Sequence, residues 1–239
     1  CVNKSYSVKP LYEISENKFY ESDKDWSTIS GSYHTKIAMG LANLYTVKKQ
    51  KKYLRFADKI CKKSLEFQKN NGRFLSFPFR GGTNLHPHCY SAEGLWSVGK
   101  FLNNKTFIRS SQKATQWIYN TLRKGMPPRL YLIERIIYHQ RADALAQTLR
   151  LFFLHKISGK KILTKNKNIN TILQKLLKFQ FKNNKNKKLN GSFKWGKTSF
   201  GKLKTHANSW VTFFSIQTLY LIKETLEKKK LHLEPFDLI

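Results

Sequence analysis

Acidic residues are scarce in this chain. Its 239 residues hold 14 Asp and Glu against 45 Lys and Arg, a formal net charge of +31, and such a surplus constrains partners rather than fold. Long apolar runs are missing: none approaches the ~18–20 residues that cross a bilayer, so no membrane-spanning helix is expected. Cysteine is limited to Cys1, Cys61 and Cys89. An odd number without paired spacing excludes a disulfide framework and a four-cysteine zinc site, and points to a reducing, cytoplasmic compartment. A charged head followed by an apolar stretch is also absent, so no secretory signal is expected, and the opening Cys1 fits a fragment without its true N-terminus.

Glycine and proline are few, 12 and 6, and most cluster between long stretches whose apolar residues recur every three or four positions, the helical period. With 40% hydrophobic and 14% aromatic residues, the chain is too apolar for disorder and long enough for one core. The expectation is a single all-α domain over residues 1–239, with an irregular lead-in over 1–30 and a tail over 227–239. Helices are predicted at 31–48, 51–69, 86–102, 105–123, 141–156, 168–182 and 205–226. Segments 51–69 and 168–182 are Lys-rich with a spaced apolar stripe (Leu54, Ala57, Ile60, Cys61, Ser64 and Leu65; Ile172, Leu173, Leu176 and Leu177), as expected of outer helices with one wet face. Segments 31–48, 86–102, 141–156 and 205–226 are predicted to lie inside; the last three carry few charges and are apolar nearly all round.

Buried and outer helices therefore alternate, with a repeat of one helical hairpin plus a loop. His34 precedes Gly40-Leu41 by six residues, and His88 precedes Gly94-Leu95 likewise. Residues 146–151 (Ala-Gln-Thr-Leu-Arg-Leu) echo residues 216–221 (Ile-Gln-Thr-Leu-Tyr-Leu), and Leu65-Glu66-Phe67-Gln68 with its Asn71-Gly72-Arg73-Phe74 echoes Leu177-Lys178-Phe179-Gln180 with Asn190-Gly191-Ser192-Phe193. Over residues 31–226 this pattern resembles the (α/α) toroid shared by six-hairpin glycosidases, sugar epimerases, polysaccharide lyases, and terpenoid cyclases with protein prenyltransferases. Gln68-x-x-x-Gly72-x-Phe74 is similar to the Gln/aromatic turn repeated in terpenoid cyclases. The four inner helices are fewer than these families have, so an incomplete barrel is expected.

In such a barrel the inner helices run parallel and their N-terminal ends, with unpaired backbone N–H groups and positive dipole ends, surround one mouth that favours an anion. The residues at those starts are Tyr33 and His34; His86, His88 and Tyr90; Arg141 and Asp143; His206, Asn208 and Trp210. His88, with Tyr90 or His34 as its complement, is the candidate for proton transfer beside a carboxylate. Asp143 is the best-placed carboxylate and Glu93, on an inner helix, the second; Glu93 requires a partner, with a rim Arg or His expected. Arg141 would grip an acidic group. Trp195 and Trp210 could stack on a sugar ring, with His86, His206 and Asn208 beside them. Capping and rim packing are the structural alternatives for these positions.

Adjacent His86, His88 and Cys89 cannot all point at one ion, so no metal and no cofactor is expected. The pair Asp23-Lys24-Asp25 fits a turn better than a metal–diphosphate site. The expected function is binding or processing of an anionic saccharide. The alternatives are an isoprenoid toroid, weakened by missing acidic motifs, and a basic scaffold for RNA or an acidic protein. No RNA-recognition signature, helix-turn-helix or zinc finger is present, so nucleic-acid binding is expected to be weak and non-specific.

Overall fold

A computed structural model describes residues 8–20, 22, 25–157 and 166–227. Cys1, the Asp23-Lys24 half of the Asp-x-Asp pair and the tail from 228 lie outside the described residues. The chain divides into two compact units, one running to Trp117 and including Leu132–Glu134, the other comprising Ile118–Tyr131 and the residues from Arg135 on.

In the first unit a short hairpin, β1 (Leu11–Glu13) and β2 (Lys18–Tyr20), pairs Leu11 with Tyr20. A 3-10 turn, Ser32–His34, then opens into α1 (Thr35–Lys48), which is followed by α2 (Lys51–Ser64). Helix α2 buries Ala57, Ile60, Cys61 and Ser64, spaced three and four apart as the stripe requires, while its lysines face water. The two-residue strand β3 (Thr83–Asn84) leads into α3 (Leu85–Phe101), whose residues from Leu85 to Gly99 are all buried. Helices α1 and α3 approach closely because residue 94 is glycine: a Cβ there would lie 2.4 Å from the Thr35 side chain. Helix α4 (Lys105–Asn120) follows, and the chain passes into the second unit within it.

The second unit holds the hairpin β4 (Leu130–Tyr131) and β5 (Ile136–Ile137), α5 (Ala142–Ile157), α6 (Asn166–Leu177), the hairpin β6 (Lys194–Lys197) and β7 (Leu203–Ala207), and α7 (Ser209–Leu226). Helix α5 is buried throughout from Ala142 to His155, and α6 fastens through Ile169, Ile172 and Leu176.

All seven predicted helices are present among the described residues, with instructive differences at the edges. Segment 168–182 stops being helical at Leu177 because Phe179 and Gln180 turn outward to pair with the chain at Lys194 and Phe193. Segment 205–226 begins as strand: Thr205–Ala207 belongs to β7, and Asn208 starts α7 by accepting the Val211 N–H on its side chain at 3.0 Å, an N-cap. Helices α3 and α5 are buried as expected. The flanking pair is less so: Ile37, Leu44 and Val47 of α1 and Trp210, Phe213, Ile216 and Tyr220 of α7 are exposed. Among the described residues α1 packs chiefly on α2 and α3, and α7 on α5.

The outer-helix turn recurs in both units with the same hydrogen bonds. Gln68 pairs with Phe74 through the backbone and donates its amide to the Gly72 carbonyl at 3.0 Å; Gln180 pairs with Phe193 and donates to the Gly191 carbonyl at 3.3 Å. Both glycines have positive φ, 93° and 88°, which glycine adopts without steric cost. Both phenylalanines are fully buried. Their N–H groups donate to a side chain four residues into the next buried helix: Phe74 to His88 Nδ1 at 3.1 Å, and Phe193 to Thr212 Oγ1 at 2.9 Å. Asn84 and Asn208 cap those two helices at matching positions.

Candidate functional site

The predicted rim residues fall into two clusters, one in each unit. In the second unit, Arg141 just ahead of α5 forks onto Asp143, with Nε donating to Oδ1 at 3.0 Å and a terminal nitrogen donating to Oδ2. Asp143 is fully buried and also accepts the Ala144 N–H at 2.8 Å. The Arg141 side chain keeps 17% of its surface, so its charge stays open to a ligand on one side. Its guanidinium lies 4.6 Å from the centre of the Trp195 ring, on β6, which is bridged to Arg141 through Gly196. Residue 196 must be glycine here: its φ is +111° and a Cβ would stand 2.8 Å from the Arg141 Cα.

A second guanidinium, Arg129, lies 5.4 Å from the same Trp195 ring and donates to the Lys197 carbonyl at 2.6 Å. Burial, then the nearby Arg141 charge, push the Arg129 pKa down to about 10. Two like charges half out of water are costly unless an anion joins them, and here the buried Asp143 carboxylate is forked by Arg141. Arg129 was not among the sequence candidates. Its position, directly before a short hairpin and after Pro127-Pro128, carries no pattern that separates it from other basic residues.

In the first unit, His86 and Tyr90, one turn apart on α3, stack with ring centres 4.4 Å apart. Trp26 reaches His86 at 5.6 Å and Tyr33 at 5.1 Å, and Tyr33 packs on His34 at 4.2 Å. Glu93 is fully buried, and its partner is Lys36 of α1, 3.2 Å away, rather than the expected Arg or His. The Lys36 ammonium also lies 5.4 Å from the Tyr90 ring centre. The cluster reaches solvent through the half-buried Trp26, Tyr33 and Lys36.

His88 is placed apart from that cluster in function. It is fully buried, Nδ1 accepts from Phe74, and Nε2 stands 3.1 Å from the Ala114 carbonyl, so the proton resides on Nε2 and both nitrogens are committed to backbone. Burial, its largest cause, lowers the His88 pKa to about 4. Thr212 makes the same contact in the other unit, which gives position 88 a fold-building task. The echo between His34-Gly40 and His88-Gly94 likewise does not carry a shared geometry: Gly94 is pressed against Thr35, whereas Gly40 has open space.

At the start of α7, His206 is exposed on β7, Asn208 is the cap, and Trp210, 53% exposed, packs its edge against Phe214 at 5.2 Å. They are not drawn into the Arg141 group by any of the contacts above. A further charged residue, Arg150 in the middle of α5, is buried, bonds Gln217 at 2.5 Å and faces the Phe214 ring at 4.8 Å. Its signal in the sequence is a charge in the middle of a helix whose other charged residues, Asp143 and Lys156, lie near the ends. No group of three or more His, Cys, Asp or Glu among the described residues could hold a metal ion, and no described helix is long and apolar enough to cross a membrane.

No family model matches the sequence, and a search of curated proteins finds no match. Solved structures do match. The chain is similar to a D-mannose isomerase (TM-score 0.71, 11% identity, 95% of this chain and 62% of the other). It is also similar to a cellobiose 2-epimerase from Bacillus thermoamylovorans B4167 (0.64, 13%, 92% and 58%). A third match is an unsaturated glucuronyl hydrolase, responsible for the degradation of glycosaminoglycan, from Bacillus sp. GL1 (0.57, 11%, 89% and 63%). The fold is an (α/α) toroid. The chain spans about three fifths of the length of the first two of these structures. Within that fold the Gln68–Phe74 turn in the first unit and the Gln180–Phe193 turn in the second each close an outer helix.

Proposed function

We propose that this toroid binds or processes an anionic saccharide, reading a sugar carboxylate with Arg129 and Arg141. The observation that carries the reading is the pair of guanidiniums, Arg129 and Arg141, that both lie against the Trp195 ring, with the buried Asp143 carboxylate gripped by Arg141 in a bidentate fork. Asp143 orients the Arg141 fork, Arg129 is fixed by the Lys197 carbonyl, and Trp195 holds both cations through its ring face. A carboxylate entering there completes the charge balance, and guanidinium forks match its two oxygens. The glucuronyl hydrolase match supports an acidic saccharide, and the isomerase and epimerase matches support sugar chemistry in general.

Two guanidiniums on a carboxylate also stabilise charge that develops when the neighbouring carbon loses a proton. His88 is not proposed for proton transfer, because its ring nitrogens serve the backbone. Cys61 and Cys89 are buried and form no disulfide, which fits a reducing, cytoplasmic setting, and nucleic acid is read as a weak, non-specific partner.

Incubation with uronate-containing oligosaccharides in D2O tests this. Expected are binding and, if the protein is catalytic, deuterium at the carbon beside the carboxylate or a new product, lost in Arg141→Gln and retained in the folded His88→Gln. Equal binding of a neutral oligosaccharide of the same length would oppose the reading.

A further inference from the structure

We propose that the second unit carries a separate binding site for a phosphorylated sugar, in the groove between α6 and the segment Tyr138–Gln140. The groove has a volume of about 810 Å³, within the range of small-molecule sites. None of Arg129, Arg141, Asp143 or Trp195 lines it, so the inference does not rest on the saccharide reading above.

One wall is a single stripe of α6 continued by Lys178, the residue after its last turn, whose N–H still bonds the Gln174 carbonyl at 3.2 Å. Lys167, Asn170, Thr171, Gln174, Lys175 and Lys178 all line the groove, and their spacing of three, one, three, one and three places them on one helical face. The opposite stripe, Ile169, Ile172 and Leu176, is buried and fixes the phase of the helix. The facing wall brings a fourth ammonium, Lys197. Its backbone is held on both sides, the N–H by the Gln140 carbonyl at 2.8 Å and the carbonyl by Arg129 at 2.6 Å. His139 joins that wall with Nδ1 2.9 Å from the Ser199 carbonyl, which fixes the proton on Nδ1 and turns Nε2 into an acceptor when the ring is neutral.

Among the described residues no carboxylate lines the groove. The acidic residues of this unit are Asp143, Glu224 and Glu227; Asp143 is engaged by Arg141, and Glu227 lies 3.9 Å from Lys223. Four ammoniums gathered without a counter-charge define a site for a multiply charged anion. Its cations are lysines alone, compact point charges suited to the three equivalent oxygens of a phosphate, whereas the planar forks that select a carboxylate are absent. Asn170, Gln174 and Thr171 supply donors and acceptors for hydroxyl groups, and Met126 and Tyr138 give an apolar surface for a ring. Clustered negative charge beside a polyhydroxy ring is the chemistry of a sugar phosphate, free or as part of a nucleoside diphosphate sugar.

Calorimetric titration at fixed ionic strength with glucose 1-phosphate, UDP-glucose, pyrophosphate and glucose tests the proposal. Lys167→Gln/Lys175→Gln/Lys178→Gln is compared with Lys185→Gln/Lys187→Gln/Lys188→Gln, which removes the same charge from exposed positions outside the groove. Both sets are exposed or half-exposed, and melting curves check that the variants remain folded. Expected is binding of at least one of the two phosphorylated sugars more tightly than pyrophosphate or glucose, weakened at least tenfold by the groove triple and less than twofold by the distant triple. Preference for glucose 1-phosphate or for UDP-glucose distinguishes the free from the nucleotide-linked ligand. Equal weakening by both triples, pyrophosphate binding as tightly as the sugars, or no binding of any phosphate probe would overturn the proposal. Arg141→Gln is expected to leave this binding intact, so failure here and failure of the carboxylate reading are separable.

Discussion

Arg141 and Asp143, two residues apart, close a bidentate ion pair at the start of α5 in which the carboxylate is fully buried and the guanidinium is not. That asymmetry sets the energetics. Losing the arginine strands a buried charge, whereas losing the carboxylate frees a cation that can reach water. Arg141→Ala is therefore expected to destabilise the fold by about 3 kcal/mol, within the usual cost of breaking a buried pair, and Asp143→Asn by less. Urea unfolding of the two variants checks the order; a larger loss in Asp143→Asn would contradict it.

His88 predicts a pH dependence. Its pKa is lowered to about 4 in the fold against 6.5 for the free side chain, so the unfolded chain binds the extra proton first as pH falls. The associated stability is fully present above about pH 6.5 and is lost as pH drops through about 4. Thermal melts between pH 7 and pH 4 should show a shallower decline in His88→Gln than in the parent. His88→Ala should cost about 3 kcal/mol through the unpaired Phe74 N–H and Ala114 carbonyl.

The two repeated glycines separate backbone strain from steric overlap. At Gly191 a Cβ meets nothing within 4 Å, and at Gly72 it would stand 2.2 Å from the Lys113 carbonyl oxygen, while φ is positive at both. Gly191→Ala is expected to cost about 1–2 kcal/mol from conformation alone, and Gly72→Ala about 3 kcal/mol or more once overpacking is added. Equal losses in denaturant titrations would show that overlap is relieved without cost.

Much of the architecture is legible in the sequence because helical period, caps and turn chemistry are local. Asn84 and Asn208, the Gln68 and Gln180 turns, and the burial stripe of α2 all lie within a few residues of the features they determine. The site is less legible because it depends on neighbours far along the chain. Glu93 finds Lys36, 57 residues away, and Arg129 meets Lys197, 68 residues away, with no short motif to announce either. His88 resembled a catalytic residue because histidine chemistry is versatile; only its two backbone partners reveal the structural use. The groove on α6 was readable as a stripe of lysines and amides, but its facing wall comes from Met126, Tyr138–Gln140 and Lys197.

Charge gives a further prediction. Lysines that are mainly solvated should bind nucleic acid weakly, without sequence preference, and lose it steeply with added salt. A filter-binding series that retains tight binding near ~0.5 M salt would instead favour the scaffold alternative.

The carboxylate reading is tested most directly by calorimetric titration of a uronate-containing disaccharide and its carboxyl-reduced counterpart, which differ only in the charged group. The account predicts that the acidic sugar binds at least about tenfold more tightly, a difference of ~1.4 kcal/mol, and that Arg129→Gln removes that preference while melting near the parent temperature. Equal affinities for the two sugars, or an unchanged preference in Arg129→Gln, would contradict it.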